Sequence, residues 1–291
     1  MNLVLSHIIW DVNPSVFPSL DIPRWYGLFW VAGILLSYQV MLYIYKKEGL
    51  TVKDLDKLTL YVVVGTLLGA RLGHILFYDL DYYWQHPIEV LPIRLEPEFQ
   101  FVGLTGLASH GAGLGIFIAM AIYCKVYQVN FLWIADRLAI GTALIGSFIR
   151  MGNLMNSEMV GTPTDVPWAF IFVQVDDLPR HPAQLYEAVF CLILFVILFL
   201  LWKRRSQLGT GFIFGVFMIL LFTQRFFNEM VKVNQVLFED SLPINMGQIL
   251  SIPFVIVGVV LVIYSYHEKN KRQYPVTPPE QPDPIDDSFT E

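Results

Sequence analysis

Three arginines of this chain lie within or at the end of long apolar stretches, where a charged side chain is costly. Arg71, Arg150 and Arg225 each belong to a different stretch. A charge near the centre of a lipid bilayer costs at least about 2.5–3.5 kcal/mol, so three of them need a reason. A planar guanidinium donates two parallel hydrogen bonds to phosphate oxygens, and a low local dielectric strengthens them. The three arginines therefore predict a phosphate-binding site.

Side chains that can move protons or form hydrogen bonds accompany these arginines. His110 opens the apolar stretch "SHGAGLG", and an imidazole can accept a proton near neutral pH, so His110 is a candidate general base. Arg225 and Glu229, within "QRFFNE", are four residues apart and can pair on one helix face. The other polar candidates of these stretches are Tyr26, His74, Asn153, Asn156, Glu158, Gly161, His181, Glu187 and Gln248.

Other kinds of site are poorly supported. The glycines after His110 could admit a ligand at a helix N-terminus, or could let a neighbouring helix pack closely, which is their commoner use. The two cysteines, Cys124 and Cys191, lie in or beside apolar stretches, which favours packing and excludes a disulfide framework or a cysteine-rich metal site. The polar residues show no metal-ligand spacing, nucleotide-binding loop or serine elbow.

The composition indicates that a membrane must hold these residues in place. The chain has 291 residues, of which 55% are hydrophobic and 15% charged, and its mean hydropathy is +0.53. A helix needs about 20 mostly apolar residues to cross the hydrocarbon core, and seven stretches meet this requirement. We therefore predict an all-α integral membrane protein with about seven transmembrane helices. The predicted spans are 25–45, 59–78, 109–127, 132–150, 183–202, 210–228 and 246–266.

The basic residues predict the orientation of these spans. Eleven of the nineteen Lys and Arg residues fall on one side: Lys46, Lys47, Lys53, Lys57, Lys125, Lys203, Arg204, Arg205, Lys269, Lys271 and Arg272. On the opposite side lie Arg24, Arg94, Arg180 and Lys232. Because basic loops stay in the cytoplasm, we expect the N-terminus outside and the C-terminus inside, with the long connections 79–108 and 151–182 forming an outward-facing cap.

The chain ends are expected to add little to the membrane domain. Residues 1–22 lack the basic region and cleavage site of a secretory signal, so no processing is expected. The last residues, "PPEQPDPIDDSFTE", contain four prolines and five acids and offer little to bury. We therefore predict one polytopic membrane domain over residues 1–272 and a disordered, acidic, Pro-rich cytoplasmic tail over 273–291.

The intramembrane polar residues are distributed unevenly across the bilayer. Asp136 and Arg137 lie near the cytoplasmic end of their span, where a local ion pair or a snorkelling arginine would explain them. Nearly all the others fall near the outer surface, where a phospholipid head group is the most abundant phosphate. The stretch "FIRMGNLMNSEMVGTP", residues 148–163, is therefore predicted to form one wall of a lipid head-group site in the outer leaflet.

Within this wall, "GSFIRMGNLMNSEMVG" closely resembles the signature of the prolipoprotein diacylglyceryl transferases, with Arg, Gly-Asn, Asn, Glu and a final Gly at the same spacing. Further resemblance lies in "WYGL", "GARLG", the "HG" at His110, "RHPAQLYE", "RFFNE" and "MGQILSIP". Only the extreme termini and the loop around 79–100 lie outside it. The chain departs from the family pattern at Ala112, usually a glycine, and at Leu221, usually a tyrosine.

The resemblance implies a specific reaction. The diacylglyceryl group of phosphatidylglycerol passes to the lipobox cysteine of an exported preprolipoprotein, which forms a thioether and releases glycerol 1-phosphate. This displacement at an sp³ carbon requires no metal or organic cofactor, and no nucleic-acid partner is expected. The implied location is the bacterial inner membrane, with multiple spans and the active site toward the outer leaflet.

The same resemblance implies roles for individual residues. Arg150 and Arg225 would bind the phosphate, with Asn153 as polar support and Glu158 as an orienting partner. His110 would activate the thiol, although the positive field of the two arginines could itself favour the thiolate. Further substrate-binding candidates are Tyr26, Arg71, Gly161, Gln248 and Glu229, the last of which would hold Arg225 in place.

Two other classes of protein could use such a site. A transporter normally carries polar groups through the full membrane thickness and often has repeated halves, and the sequence shows no clear repeat. A non-catalytic membrane subunit could hold phospholipid with the same arginines. This subunit would bind lipid tightly without turnover.

Overall fold

A computed structural model describes residues 7–20, 22–91, 93–94, 99–101, 106–232 and 245–267. The tail predicted over 273–291 lies outside the described residues. The described part of the chain contains eight α-helices. They are α1 (Trp25–Lys47), α2 (Val52–Phe77), α3 (Leu80–Gln85), α4 (Ser109–Tyr127), α5 (Phe131–Met155), α6 (Ala183–Lys203), α7 (Phe212–Asn228) and α8 (Met246–His267).

All of these helices except the short α3 are long and apolar enough to cross a membrane, which confirms the prediction of seven transmembrane helices. Two bounds differ from the prediction by more than two residues, because these helices continue beyond their most apolar parts. Helix α2 begins at Val52, where Thr51 and Asp54 form a capping box, and α5 continues to Met155. The direction in which the helices cross the membrane stays a prediction.

Among the same described residues there are five short strands: β1 (Ile8–Trp10), β2 (Ile93–Arg94), β3 (Gln100–Phe101), β4 (Phe170–Phe172) and β5 (Pro179–Arg180). Strands β1, β4 and β5 form a sheet in that order, with β1 parallel to β4 and β5 antiparallel to it. Phe170 and Phe172 pack against Leu154, and the Trp10 indole donates a hydrogen bond to the Leu154 carbonyl at 3.1 Å. This sheet fixes the chain where it leaves α5.

The chain divides into two compact units. The larger unit comprises Met1–Ile44 and Ala135–Arg272, and the smaller unit contains Tyr45–Ile134. Both cysteines are free and buried, Cys124 in the smaller unit and Cys191 in the larger one.

In the smaller unit, α2 and α4 cross at a face made of glycines. A Cβ atom added at Gly73 would lie 2.6 Å from the Gly111 Cα, and one at Gly69 would lie 2.7 Å from the Gly115 Cα. Side chains at these positions would therefore force the helices apart. Two of the glycines that follow His110 thus serve helix packing.

Candidate functional site

A buried carboxylate on α6, Glu187, connects this helix to α5, to α7 and to the segment that follows α7. Its Oε2 atom lies 2.5 Å from the Arg150 Nε of α5. Its Oε1 atom lies 2.6 Å from the Lys232 Nζ and accepts a hydrogen bond of 2.8 Å from the Asn228 side chain of α7. Because an unpaired buried carboxylate would be costly, these partners hold each other in place.

Arg150 also contacts the last turn of α5 and the turn that follows this helix. Its Nη1 donates to the Asn153 side-chain oxygen at 3.3 Å and to the Met159 sulfur at 2.9 Å. Asn153 in turn donates to Glu158 at 3.1 Å, and Asn156 donates to the other oxygen of Glu158. The structure therefore brings Arg150, Asn153 and Glu158 together.

The orientation of Arg150 leaves part of its guanidinium accessible. Its ion pair with Glu187 is at Nε, and its hydrogen bonds to the described residues come from Nη1. Nη2 donates no hydrogen bond to these residues. The side chain remains 24% exposed. Arg150 is thus a partly neutralised cation that is fixed in position and can still donate hydrogen bonds to an anion.

Arg225 is the more open of the two arginines. Its Nε lies 3.8 Å from the Glu229 Oε1, so the pairing expected from their spacing is confirmed as an ion pair, and its side chain is 45% exposed. Lys232 lies 3.8 Å from the same Glu229 oxygen. Ion pairs therefore connect Arg150 to Arg225 through Glu187, Lys232 and Glu229, and we call these five residues the cation network.

Gly161 lies where two backbone segments of the larger unit meet. Its amide donates to the His181 carbonyl at 2.9 Å, and its carbonyl accepts a hydrogen bond from Arg180 at 3.1 Å. A Cβ atom at this position would lie 2.6 Å from the His181 carbonyl oxygen and 2.7 Å from that of Val231. Any larger residue would separate this turn from the segment that carries Lys232.

The side chains of Tyr26 and Gln248 form hydrogen bonds with other residues of the larger unit. The Tyr26 hydroxyl accepts a hydrogen bond of 3.2 Å from Trp30, and its ring packs against Gly152 of α5. The Gln248 side chain accepts from the Asn245 amide at 3.1 Å and donates to the Phe226 carbonyl of α7 at 3.3 Å. These bonds attach the start of α8 to α7 beside Arg225.

The other two candidates, Arg71 and His110, belong to the smaller unit. Arg71 is buried and donates to the Glu89 carbonyl at 2.6 Å and to the Val90 carbonyl at 3.0 Å, while its guanidinium lies over the Tyr83 ring. It thereby attaches the connection after α3 to α2. His110 lies in the first turn of α4 with an exposed side chain.

Comparison with known proteins identifies the family of this chain. Residues 15–264 match the family model described as prolipoprotein diacylglyceryl transferase. The chain belongs to this family. A Bacteroides fragilis protein named phosphatidylglycerol–prolipoprotein diacylglyceryl transferase is 46% identical over 94% of this chain and 100% of its own length. Proteins of the same name from Tolumonas auensis and Porphyromonas gingivalis are 45% and 40% identical, over 90% and 89% of this chain and 99% and 94% of their own lengths.

In this member of the prolipoprotein diacylglyceryl transferase family, the structure adds Asn228 and Lys232 to the site and gives a role to Glu187, which the sequence names only as a polar candidate. Glu187 and Lys232 lie on the ion-pair path between the two arginines, and Asn228 donates a hydrogen bond to Glu187. A signal for Glu187 was present, since an acid near the start of a strongly apolar helix demands a partner. The spacing of Lys232, three residues after Glu229, indicates one helix face but not the more distant Glu187.

Proposed function

We propose that this protein transfers the diacylglyceryl group of phosphatidylglycerol to the cysteine thiol in the lipobox of preprolipoproteins. Besides the family, the observation that supports this function is the cation network, in which the buried Glu187 and the half-buried Glu229 hold two arginines and leave donors accessible. Such an arrangement suits an anionic group that gains charge during a reaction.

The cysteine sulfur attacks the glycerol carbon that bears the phosphate ester. A carbon–sulfur bond forms, and the bond between this carbon and the ester oxygen of the phosphate breaks. The electron pair of the broken bond leaves on that oxygen, which becomes part of glycerol 1-phosphate. Arg150 and Arg225 bind this phosphate and stabilise its growing negative charge. Asn153 and Glu158 orient Arg150, and Glu229 restrains Arg225.

Four further candidates of the sequence-based site support the binding of substrate through the structure around the arginines. Tyr26, Gly161 and Gln248 shape the surroundings of the arginines through the backbone and helix contacts described above, and Arg71 anchors the loop after α3. We place the protein in the inner membrane of a bacterium, with the site toward the outer leaflet. The family supports the bacterial inner membrane, and the basic residues of the loops support the orientation.

The thiol proton must leave before or during the attack, because the thiolate is the nucleophile. We assign this proton to His110, whose imidazole can accept it near neutral pH. The alternative is that the positive field of Arg150 and Arg225 lowers the pKa of the substrate thiol, whose free value is about 8.5. In that case His110 only binds lipid or peptide.

Reconstitution tests the proposal directly. The purified protein is placed in vesicles that contain phosphatidylglycerol, a lipobox peptide is added, and the peptide is analysed by mass spectrometry. We expect a diacylglyceryl mass addition that disappears when the lipobox cysteine is replaced by serine. Tight lipid binding without mass addition would instead indicate a non-catalytic lipid-binding subunit.

A further inference from the structure

A second buried carboxylate, Asp136, connects α5 to α7 far along the chain from the arginines. Its Oδ2 accepts a hydrogen bond from the Gly211 amide and its Oδ1 accepts one from the Phe214 amide, both at 2.8 Å. Asp136 is 2% exposed. Amides at the start of a helix lack partners within that helix, so the Asp136 carboxylate of α5 caps the start of α7.

The backbone at Gly211 and the neighbouring Arg137 both support this contact. Gly211 has a φ angle of 90°, in the left-handed region that favours glycine, and this backbone directs its amide toward Asp136. Arg137 lies beside the carboxylate, with its Nη1 3.7 Å from Oδ2. Both side chains are buried, so the predicted local pair is confirmed. The contact therefore has a charge partner as well as two hydrogen bonds.

The two helices extend equally far from this contact to the arginines. Arg150 lies fourteen residues after Asp136 on α5, and Arg225 lies fourteen residues after Gly211 on α7. At 1.5 Å per residue, each helix covers about 21 Å from the contact to its arginine. The contact thus determines the level of α7 along α5, and with it the level at which Arg225 lies relative to Arg150.

At the arginine end, the connection between the same helices is indirect. In the part of the chain that the structure describes, Glu187 of α6 connects Arg150 to Asn228 of α7. Among the described residues, Arg225 itself forms one ion pair, at 3.8 Å with Glu229 on its own segment. The direct, buried contact of Asp136 at the other end therefore restrains the sliding of α7 along α5.

We propose that Asp136 is a positioning residue for diacylglyceryl transfer, because its cap on α7 sets the distance between Arg150 and Arg225. The inference rests on the proposed function. A displacement of about 1 Å far from the chemistry can reduce a rate about 100-fold when two groups must bind one transition state together. Asp136 touches neither substrate and acts only through the helix that it holds.

The test compares Asp136→Ala and Asp136→Asn with Thr51→Ala. Thr51 caps the start of α2, which carries neither Arg150 nor Arg225, so its loss weakens a helix start away from these two arginines. At saturating phosphatidylglycerol and peptide, we expect Asp136→Ala to reduce kcat per folded molecule about 100-fold, with a smaller change in KM. Asp136→Asn keeps one acceptor oxygen, so its kcat should be about tenfold higher than that of Asp136→Ala. Thr51→Ala should keep the parental kcat.

Hydrogen exchange measured by mass spectrometry gives a readout that does not depend on activity. In Asp136→Ala we expect faster exchange in two segments, residues 208–216 at the contact and residues 225–232 at the arginine end. Thr51→Ala should leave both unchanged.

Two results would overturn the proposal: a parental kcat for folded Asp136→Ala, or a lower kcat with unchanged exchange in residues 225–232. If the parental protein itself shows no transfer, the proposed function fails. The exchange measurement then still decides whether Asp136 controls the far end of α7, and unchanged exchange in residues 225–232 overturns that coupling.

Discussion

Arg71 and Arg150 show how different the roles of two arginines in apolar stretches can be. Arg71 is buried, and its Nε and Nη2 donate to backbone carbonyls of the segment that follows α3. Arg150 is paired with the Glu187 carboxylate and remains partly exposed. Backbone carbonyls are fixed structural acceptors, whereas a partly neutralised, accessible guanidinium can still bind an anion. The comparison supports our proposal that the larger unit binds the phosphate, with Arg71 holding the segment that follows α3.

The largest effect is expected from His110, which would establish whether the smaller unit contributes chemistry. If His110 is the general base, His110→Asn should reduce the rate about 10²–10⁴-fold at neutral pH. The loss should diminish as the pH rises toward the pKa of the peptide thiol, about 8.5, because the free thiolate then forms without help. The measurement is a pH–rate profile with saturating phosphatidylglycerol and peptide. A parental maximal rate at pH 7 would exclude the assignment.

Charge-conserving substitutions test the comparison of the two arginines itself. Arg150→Lys should lose at least about 100-fold in turnover, because an ammonium cannot reproduce the two parallel hydrogen bonds of a guanidinium to phosphate. Arg71→Lys should lose much less, since a lysine can still reach a backbone carbonyl. The exposed Arg204→Lys, outside the site, controls for the substitution itself. Near-normal turnover of Arg150→Lys at matched membrane abundance would remove it from the phosphate-binding role.

A smaller loss is expected when the carboxylate that connects the cation network is neutralised. Glu187→Gln keeps an acceptor oxygen but leaves Arg150 and Lys232 without their shared negative charge. Turnover should fall about tenfold, which corresponds to about 1.4 kcal/mol in the barrier, and thermal stability should fall as well. Asp177→Asn, on an exposed loop, is the control variant. If Glu187→Gln kept parental turnover, the network would not position Arg150.

The smallest effect concerns stability outside the membrane spans. A hydrogen bond from Arg180 lowers the pKa of Asp176 below its ordinary value of 3.8. A lowered folded-state pKa stabilises the fold above the unfolded-state pKa, and this contribution disappears as the pH falls through the folded-state pKa. Asp176→Asn should therefore slightly lower the melting temperature at pH 7, and the difference should shrink below about pH 4. Equal melting temperatures at pH 7 would contradict this prediction.

Much of the membrane architecture could be predicted because it depends on local composition. About 20 apolar residues in succession predict a span wherever they occur, and all seven helices lie where the sequence indicates. The Arg225–Glu229 pair was also predictable, since residues four apart share a helix face. The early start of α2 at Val52 was missed because capping extends a helix beyond its apolar part.

The composition of the site shows where prediction from sequence ends. The signature around Arg150 fixed the residue types that could bind a phosphate, and the short-range contacts among Arg150, Asn153 and Glu158 follow from one turn of helix and the bend after it. Only the tertiary structure assigned Glu187 to Arg150 and Asp136 to the start of α7, 75 residues away. Such pairings depend on which helices pack together and at what level, and hydropathy leaves both undetermined because every span is apolar in the same way.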